Sequence, residues 1–108
     1  MARRIERGET WLYEFRQPDK RRPVVILSRQ DAIELIDTVM VAPVSSSIRG
    51  APAEVVIGQA EGLKHTSSIS LDHVQTVQKR QLKNRLGRLS PAKMMAVCRA
   101  LAIATGCV

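Results

Sequence analysis

Three cations stand immediately before an apolar segment in this sequence. Lys20, Arg21 and Arg22 precede Pro23, and four apolar residues follow at 24–27. Proline fixes its own φ and lacks an N–H, so Pro23 suits the first residue of a strand and holds the residue before it extended. A guanidinium held in this way presents a planar fork that matches two phosphate oxygens. The segment indicates either a phosphate site centred on Arg22 or, as for many such runs, a solvated basic loop.

The overall charge also favours an anionic partner. The 108 residues include 17 Lys and Arg against 10 Asp and Glu, a formal net charge of +7. Such an excess attracts nucleic acid, an acidic protein or a membrane surface. Apolar residues make up 44% of the chain, which is typical of a globular protein, and we expect a single domain over residues 1–108.

Nothing in the sequence indicates a membrane segment or a metal site. No apolar run approaches the ~18–20 residues that a bilayer requires, and the basic start of the chain lacks the apolar core of a signal peptide. These features predict a cytoplasmic protein. Cys98 and Cys107 lie too close to the C-terminus for a disulfide scaffold, and neither has a zinc-ligand partner at the usual spacing. We therefore expect Cys98 in the core, and no metal or other cofactor.

The pattern of apolar residues predicts a mainly β protein that ends in one helix. Alternating and β-branched residues indicate strands, and 31–36 could form a short helical turn. The predicted strands are Thr10–Phe15, Pro23–Ser28, Thr38–Val44, Ala53–Ile57, Ser67–Leu71, His73–Val77 and one within Lys79–Leu89. Trp11, Tyr13 and Phe15 share one face of the first strand. We expect them in the core, because base-stacking proteins usually carry more than 3% aromatic residues.

The last predicted element is a helix over Pro91–Thr105. Ser90 is a suitable N-cap, proline is common at the first helical position, and Gly106 suits the residue just past the end. An apolar stripe recurs at helical spacing and consists of Met94, Val97, Cys98, Leu101, Ala102 and Thr105. Because the opposite side is also weakly apolar, we expect a second copy of the chain to cover part of this helix.

Six short motifs are spread over nearly the whole chain. They are RGETWL at 7–12, RRPVVILS at 21–28, VAPVSSSIRG at 41–50, PAEV at 52–55, EGLK at 61–64 and SLDHVQTV at 70–77. Their order resembles that of the MazF/PemK family of toxin endoribonucleases, which has RGDVW, KRPVVVLS, VAPITSTIRG, PTEV, EGLK and NLDQIRTV at these places. Each motif alone would be weak, but the six together are specific.

The resemblance implies both a fold and a function. The fold would be α+β but mainly β, a small, partly open SH3-like barrel of the CcdB/MazF type with a C-terminal helix, assembled as a homodimer. The function would be that of a toxin from a type II toxin–antitoxin system. It would cleave single-stranded RNA at short sequences without a metal, leaving 2′,3′-cyclic phosphate and 5′-hydroxyl ends and so inhibiting translation and growth. An acidic, MazE-like antitoxin is the implied protein partner.

Carried over by motif, the resemblance implies Arg22, Ser45 and Asp72 as catalytic residues. Cleavage of RNA by its own 2′-hydroxyl requires removal of that proton, stabilisation of charge on the phosphorane and protonation of the departing oxygen. Arg22 suits the second task but is a poor acid, because a guanidinium keeps its proton in proteins. Ser45 could bind a phosphoryl oxygen or orient the 2′-hydroxyl, and Asp72 could act as base or orient Arg22. Simple turns at 45–47 and at 72 are the alternative.

Further RNA contacts are expected from polar residues close to these three. They are Lys20, Arg21, Ser46, Ser47, Arg49, His73 and Gln75. At His73 and Gln75 the chain departs from the family, which commonly has Gln and Arg there, so its sequence preference is expected to differ. A pancreatic-type pair of His65 and His73 is disfavoured, because a predicted turn separates them.

Two other functions remain open at this point. A non-catalytic inhibitor of DNA gyrase, like CcdB, would share the fold, although that branch lacks the RPVVVLS segment and the serine loop. A simple nucleic-acid-binding barrel is the third possibility, since a net charge of +7 suffices for non-specific binding. Incubation with long single-stranded RNA in EDTA distinguishes cleavage from mere retention of the RNA.

Overall fold

The computed structural model describes residues 4–14 and 21–108, in which seven strands and two α-helices occur. They are β1 (Glu9–Glu14), β2 (Arg21–Ile26), α1 (Gln30–Leu35), β3 (Thr38–Ser45), β4 (Glu54–Ile57), β5 (Ser67–Ser70), β6 (Gln75–Gln78), β7 (Leu82–Arg88) and α2 (Pro91–Thr105). Single 3-10 turns lie at Gln59–Glu61, Leu71–His73 and Lys79–Gln81. The predicted mainly β class with a C-terminal helix is confirmed. Phe15 and Lys20 lie outside the described residues.

The strands form one open antiparallel sheet in the order β4-β5-β3-β2-β1-β7. β3 pairs with β2 along one edge, and two strands share its other edge. β6 pairs with the first half of β3, from Thr38 to Val41, whereas β5 pairs with Val44 and Ser45 at its end. The 3-10 turn between β5 and β6 therefore lies beside the middle of β3. This divided edge gives the two ends of β3 different surroundings.

The central strands are apolar on both faces because both faces of the sheet are covered. Val25 and Val44 belong to a cluster that includes the buried residues of α2. Val24 and Val41 belong to a second cluster with Trp11. Strands that are buried on both sides carry continuous apolar runs rather than an alternating pattern. The run at 24–27 is explained by this double burial.

Trp11 and Tyr13 confirm the core role that was predicted for the aromatic strand. Both side chains are buried, and each polar end has a partner. Trp11 Nε1 donates to Glu9 Oε1 at 3.0 Å, and the Tyr13 hydroxyl donates to Gln81 Oε1 at 3.0 Å. Neither ring is available as a platform for a base.

Glu9 is a buried carboxylate with donors on both oxygens. Besides Trp11, it accepts from the Glu6 backbone N–H at 2.8 Å and from Arg85 Nε at 2.6 Å. Burial alone would raise the pKa of Glu9, but the bonds from Trp11 and Glu6 and the ion pair with Arg85 together lower it below its ordinary value. The carboxylate thus joins β1 to the segment before it and to β7.

β2 begins at Arg21 rather than at Pro23. Arg21 pairs with Glu14 and Arg22 with Tyr13, so the strand that was predicted to start at Pro23 begins two residues earlier and Arg22 is not in a loop. Pro23 is tolerated inside the strand because β3 joins β2 only from Val24 onwards, and one edge of β2 is still free at the proline. Arg22 consequently extends from the sheet itself.

α2 has the predicted bounds and caps. The Ser90 hydroxyl accepts from the Lys93 N–H at 3.2 Å, and Gly106 ends the helix in the left-handed region at φ 73°. The buried side differs from the predicted stripe: Val97 and Ala100 are buried, whereas Cys98 is exposed. A helix that is apolar nearly all round does not specify which side faces the sheet. No helix in the described ranges is long and apolar enough to span a bilayer.

Candidate active site

An open cleft of about 640 Å³ lies where the start of β2, the end of β3 and the segment before β5 meet. Its polar wall consists of Arg22, Ser45, Ser46, Lys64, His65 and Ser67. Apolar residues, including Pro23 and Leu63, form the remainder. Among the described residues that line it there is one histidine and no carboxylate.

Antiparallel pairing brings Arg22 and Ser45 to this cleft. Val24 lies opposite Pro43, so the start of β2 and the end of β3 are at the same end of the sheet. Arg22 is exposed and Ser45 is half-buried, and both line the cavity. Two of the three residues predicted to be catalytic therefore share one site. Their strands are fixed by burial of Val24 and Val44 on the two faces of the sheet.

The serine loop, residues 45–47, combines a turn with a Ser45 hydroxyl that can still donate a hydrogen bond. The Ser47 N–H donates to Ser45 Oγ at 3.1 Å, which is the local turn that the sequence allowed as an alternative. Ser68 Oγ donates to the Ser47 carbonyl at 3.2 Å and ties the loop to β5. A hydroxyl that accepts one bond still has its own proton to donate. The Ser45 hydroxyl can therefore donate to a phosphoryl oxygen without leaving the turn.

Glu54 holds the second half of the same loop. Its Oε1 accepts from the backbone N–H groups of Arg49, Gly50 and Ala51 at 3.1, 2.9 and 3.3 Å. These bonds fix the backbone that carries Arg49, whose side chain is exposed. The glutamate of the PAEV motif thus has a positioning role, which the sequence pattern alone did not reveal.

Lys64 and His65 were not predicted to belong to this site. They follow Gly62, which has φ 92° and packs so closely on β7 that a Cβ would lie 2.1 Å from the Leu86 carbonyl oxygen. Leu63 is buried, and the Ser67 hydroxyl donates to the His65 carbonyl at 3.0 Å. The segment is therefore anchored on both sides of the two exposed side chains. The EGLK motif was the available signal, but it does not indicate which strand the segment packs against.

In the described chain, the cations of the cleft have no carboxylate partner, unlike the other cations on the strands beside β1. Within the described part of the chain, neither the Arg22 side chain nor the Lys64 side chain has a carboxylate or hydrogen-bond partner. The other cations on the two strands beside β1 pair with acidic residues: Arg21 on β2 and Lys83 on β7 with Glu14 at 3.0 and 3.8 Å, Arg85 with Glu9 at 2.6 Å, and Arg88 with Glu6 at 3.7 Å. Unneutralised positive charge consequently lies in the cleft, where an anion would bind.

The structure places the other predicted residues elsewhere. Asp72 is exposed on the 3-10 turn after β5 and lines a second cavity of about 660 Å³ with Met40 and Cys98, beside α2. The Ser70 hydroxyl and His73 Nδ1 are 2.7 Å apart on the same turn, and Gln75 is exposed at the start of β6. No hydrogen bond or ion pair joins Asp72 to Arg22 in the described chain, and the two line different cavities. The divided edge of β3 accounts for this separation.

The open antiparallel sheet with a C-terminal helix is the architecture that the six motifs implied, and its cleft contains Arg22 and Ser45 from two of them. A family model described as "PemK-like, MazF-like toxin of type II toxin-antitoxin system" matches residues 6–105. The chain belongs to this family.

Relatives and solved structures agree with this assignment. A "Probable endoribonuclease MazF5" from Mycobacterium tuberculosis is 42% identical over 102 residues, which cover 94% of this chain and 93% of the relative. An "Endoribonuclease MazF" from Staphylococcus epidermidis is 33% identical over 94% of this chain and 92% of the relative. The solved Mycobacterium tuberculosis toxin MazF-mt6 superposes with a TM-score of 0.84 at 30% identity, covering 91% of this chain and 96% of that one.

A further solved structure includes a partner. It is described as an endoribonuclease in complex with its cognate antitoxin from Mycobacterial species. It has a TM-score of 0.87 at 25% identity, over 95% of this chain and 96% of that chain.

Proposed function

We propose that this chain, as one domain over 1–108, is the toxin of a type II toxin–antitoxin pair and acts in the cytoplasm as a sequence-specific endoribonuclease. The observation that carries the proposal is the shared cleft of Arg22 and Ser45, in which the described cations have no carboxylate partner. The endoribonuclease names of its relatives support the reaction type. Cleavage of single-stranded RNA in the cell would inhibit translation and growth.

Arg22 and Ser45 in the cleft supply one of the three functions that the reaction needs, which is stabilisation of charge on the phosphorane. The attacking 2′-oxygen produces a phosphorane with extra negative charge, and preorganised donors aimed at that charge provide the largest part of many rate accelerations. The Arg22 guanidinium can donate to two of its oxygens, and the Ser45 hydroxyl to a third or to the 2′-oxygen. The products would be a 2′,3′-cyclic phosphate and a 5′-hydroxyl, formed without a metal.

The remaining predicted RNA contacts extend the path of the strand. Ser46 lines the cleft, and Ser47 and Arg49 follow in the loop that Glu54 holds. Arg21 is exposed beside Arg22 but pairs with Glu14, so a contact between Arg21 and RNA would require exchange of that carboxylate for a phosphate.

Three further predicted residues lie outside this region. Asp72, His73 and Gln75 are exposed beyond the cleft, and Lys20 lies outside the described residues. We propose that the RNA reaches this group where it continues across a homodimer, and that catalysis by Asp72 would require this second subunit.

An acidic antitoxin is the proposed protein partner. The cations that attract phosphates also attract carboxylates, so a disordered tail rich in Asp and Glu could fold into the cleft. Its charge would speed association and make the encounter sensitive to salt. Titration of such a tail against an uncleavable RNA analogue should show competition. Simultaneous binding with unchanged affinities would place inhibition on another surface.

Incubation with a long single-stranded RNA in EDTA tests the reaction itself. We expect cuts at a recurring short sequence, with cyclic phosphate at the 3′ ends, and none with the Arg22→Ala variant prepared in parallel. Retention of intact RNA would indicate a binding protein instead. Inhibition of DNA gyrase without RNA cleavage would indicate a CcdB-like inhibitor.

A further inference from the structure

One described side chain in the cleft is suited to transfer a proton near neutral pH. Among the described lining residues this is His65, since imidazole is the side chain that ordinarily changes charge between pH 5 and 8. The guanidinium of Arg22 keeps its proton, and a serine hydroxyl is a weak acid. Asp72, which was expected to supply a carboxylate, lines the other cavity. Of the described residues, His65 is therefore the one left for proton transfer in the Arg22 cleft.

The backbone around His65 is fixed while its ring is exposed. The Ser67 hydroxyl donates to the His65 carbonyl at 3.0 Å, and Leu63 is anchored in the core. Gly62 packs against Leu86 of β7 without room for a side chain. Neither ring nitrogen has a hydrogen-bond partner in the described part of the chain. The imidazole can therefore face a ligand in the cleft with both nitrogens unoccupied.

We propose that His65 is the general acid of RNA cleavage in the Arg22–Ser45 cleft, an inference that rests on the endoribonuclease function proposed above. The 2′-oxygen attacks phosphorus while the bond from phosphorus to the 5′-oxygen breaks, and its electron pair stays on that oxygen. The imidazolium donates a proton to the departing oxygen. The 2′-hydroxyl proton passes to water, and His65 regains a proton from solvent. No other reactant is required.

The acid role of His65 follows from the roles that are already assigned to Arg22 and Ser45. The 5′-oxygen departs as an alkoxide, a strong base, and its protonation is the need that Arg22 does not meet. Arg22 and Ser45 can stabilise the phosphorane and orient the 2′-hydroxyl, but neither releases a proton readily near neutrality. A positioned acid typically contributes a factor of about 10²–10⁴ to the rate.

The first measurement is the pH dependence of single-turnover cleavage by wild type and His65→Gln. We expect the variant to be slower by about 100-fold or more at neutral pH. The wild-type rate should fall as rising pH removes the acidic form, and this falling limb should be absent from the variant. The charged groups that face His65 in the cleft are Arg22 on β2 and Lys64 on its own segment. Neither a guanidinium nor an ammonium ordinarily titrates between pH 5 and 8. His73→Gln, which removes the histidine outside the cleft, should keep the falling limb.

The second measurement uses RNA with a bridging sulfur at the 5′ position of the scissile bond. A thiolate leaves without protonation, so wild type and His65→Gln should cleave this substrate at similar rates, whereas Arg22→Ala should be slow on both substrates. Equal defects of His65→Gln on both substrates would overturn the acid role in favour of a base, RNA positioning or a structural role. Wild-type rates for His65→Gln on ordinary RNA would also overturn it. An inactive wild type would instead refute the endoribonuclease function itself.

Discussion

Arg22 and Arg85 are both exposed arginines on strands that flank β1, but their surroundings differ. Arg85 pairs with the buried carboxylate of Glu9, whereas Arg22 lines the cleft without a carboxylate partner in the described chain. Removal of Arg85 would leave a buried carboxylate with one donor fewer, which affects stability. Removal of Arg22 leaves no group unpaired, so its effect should fall on activity.

Arg22→Ala should retain the fold and lose cleavage. Loss of about 3 kcal/mol of transition-state stabilisation slows a reaction by at least about a hundredfold. Arg22→Lys should restore little, because an ammonium does not bond two oxygens in one fork. Single-turnover cleavage and thermal unfolding measure the two effects. Arg80→Ala is the matched control, since Arg80 is exposed outside the cleft, and wild-type cleavage by Arg22→Ala would remove Arg22 from the mechanism.

Glu9→Gln should lower stability in a pH-dependent way. The pKa of Glu9 is below its ordinary value in the folded chain, so its contribution is fully present above the ordinary carboxyl pKa of about 4.3 and is lost as pH falls through the folded-state value. We expect a loss of about 2 kcal/mol at pH 7, from the weaker bonds to Arg85 and its neighbours. The difference in free energy of unfolding between wild type and Glu9→Gln should become smaller in more acidic solution. Urea unfolding at pH 7 and pH 3 measures it, with exposed Glu34→Gln as control. A difference in unfolding free energy that does not change with pH would contradict the lowered pKa of Glu9.

At the scale of elements, the close packing of the 62–66 segment on β7 decides where Lys64 and His65 lie. The contact is mutual: a Cβ on Gly87 would lie 2.5 Å from the Glu61 carbonyl oxygen. Backbone meets backbone at this point, and neither side can yield by rotating a side chain. Glycine at 62 and at 87 is thus a condition for the shape of the cleft.

Gly62→Ala should therefore damage both stability and cleavage. The new Cβ would combine a left-handed φ of 92° with a contact of 2.1 Å to the Leu86 carbonyl oxygen. Gly106→Ala is the matched control, because Gly106 also has a positive φ of 73° but nothing within 4 Å of its Cβ position. We expect the control to lose about 1 kcal/mol and Gly62→Ala distinctly more, with slower cleavage at temperatures where it is folded. Equal losses in thermal unfolding would show that the close contact is unimportant.

Local signals in the sequence predicted some elements fully and others in part. The bounds of α2 are set by Ser90 and Gly106, which act within one turn, and they were correct. Arg22 and Ser45 were predicted to share a catalytic role because of the motifs that contain them. His65 was missed because its position depends on packing between Gly62 and β7, which no local pattern encodes. The prediction that Cys98 lies on the buried side of α2 was also wrong, because the helix lacks a clear polar face.

At the scale of the whole molecule, α2 still exposes apolar side chains. Met95 and Ile103 are 63% and 42% exposed, and Met40 beside the second cavity is 41% exposed. We predict a two-fold symmetric dimer that covers part of this helix, because cyclic dimers are the commonest closed assembly. Light scattering at micromolar concentration should give twice the chain mass of 12.0 kDa.

The same assay tests where the dimer forms. Ile103→Glu should shift the protein towards monomer, whereas Leu35→Glu, on α1, should not. A monomeric wild type would count against the dimer, and a dimer unaffected by Ile103→Glu would place the interface away from this part of α2.

The ion pairs on the strands beside β1 have a consequence for counterion release. Arg21, Lys83, Arg85 and Arg88 already have carboxylates nearby, so they displace few condensed cations when RNA binds. Contacts by Arg22, Arg49 and Lys64 alone predict a slope of about −2 for log affinity against log salt concentration, whereas these three and the four paired cations together would predict about −5. Titration of an uncleavable RNA at several salt concentrations measures the slope. A value near −5 would mean that the paired arginines exchange their carboxylates for phosphates, so that RNA binding would loosen β7 from Glu9.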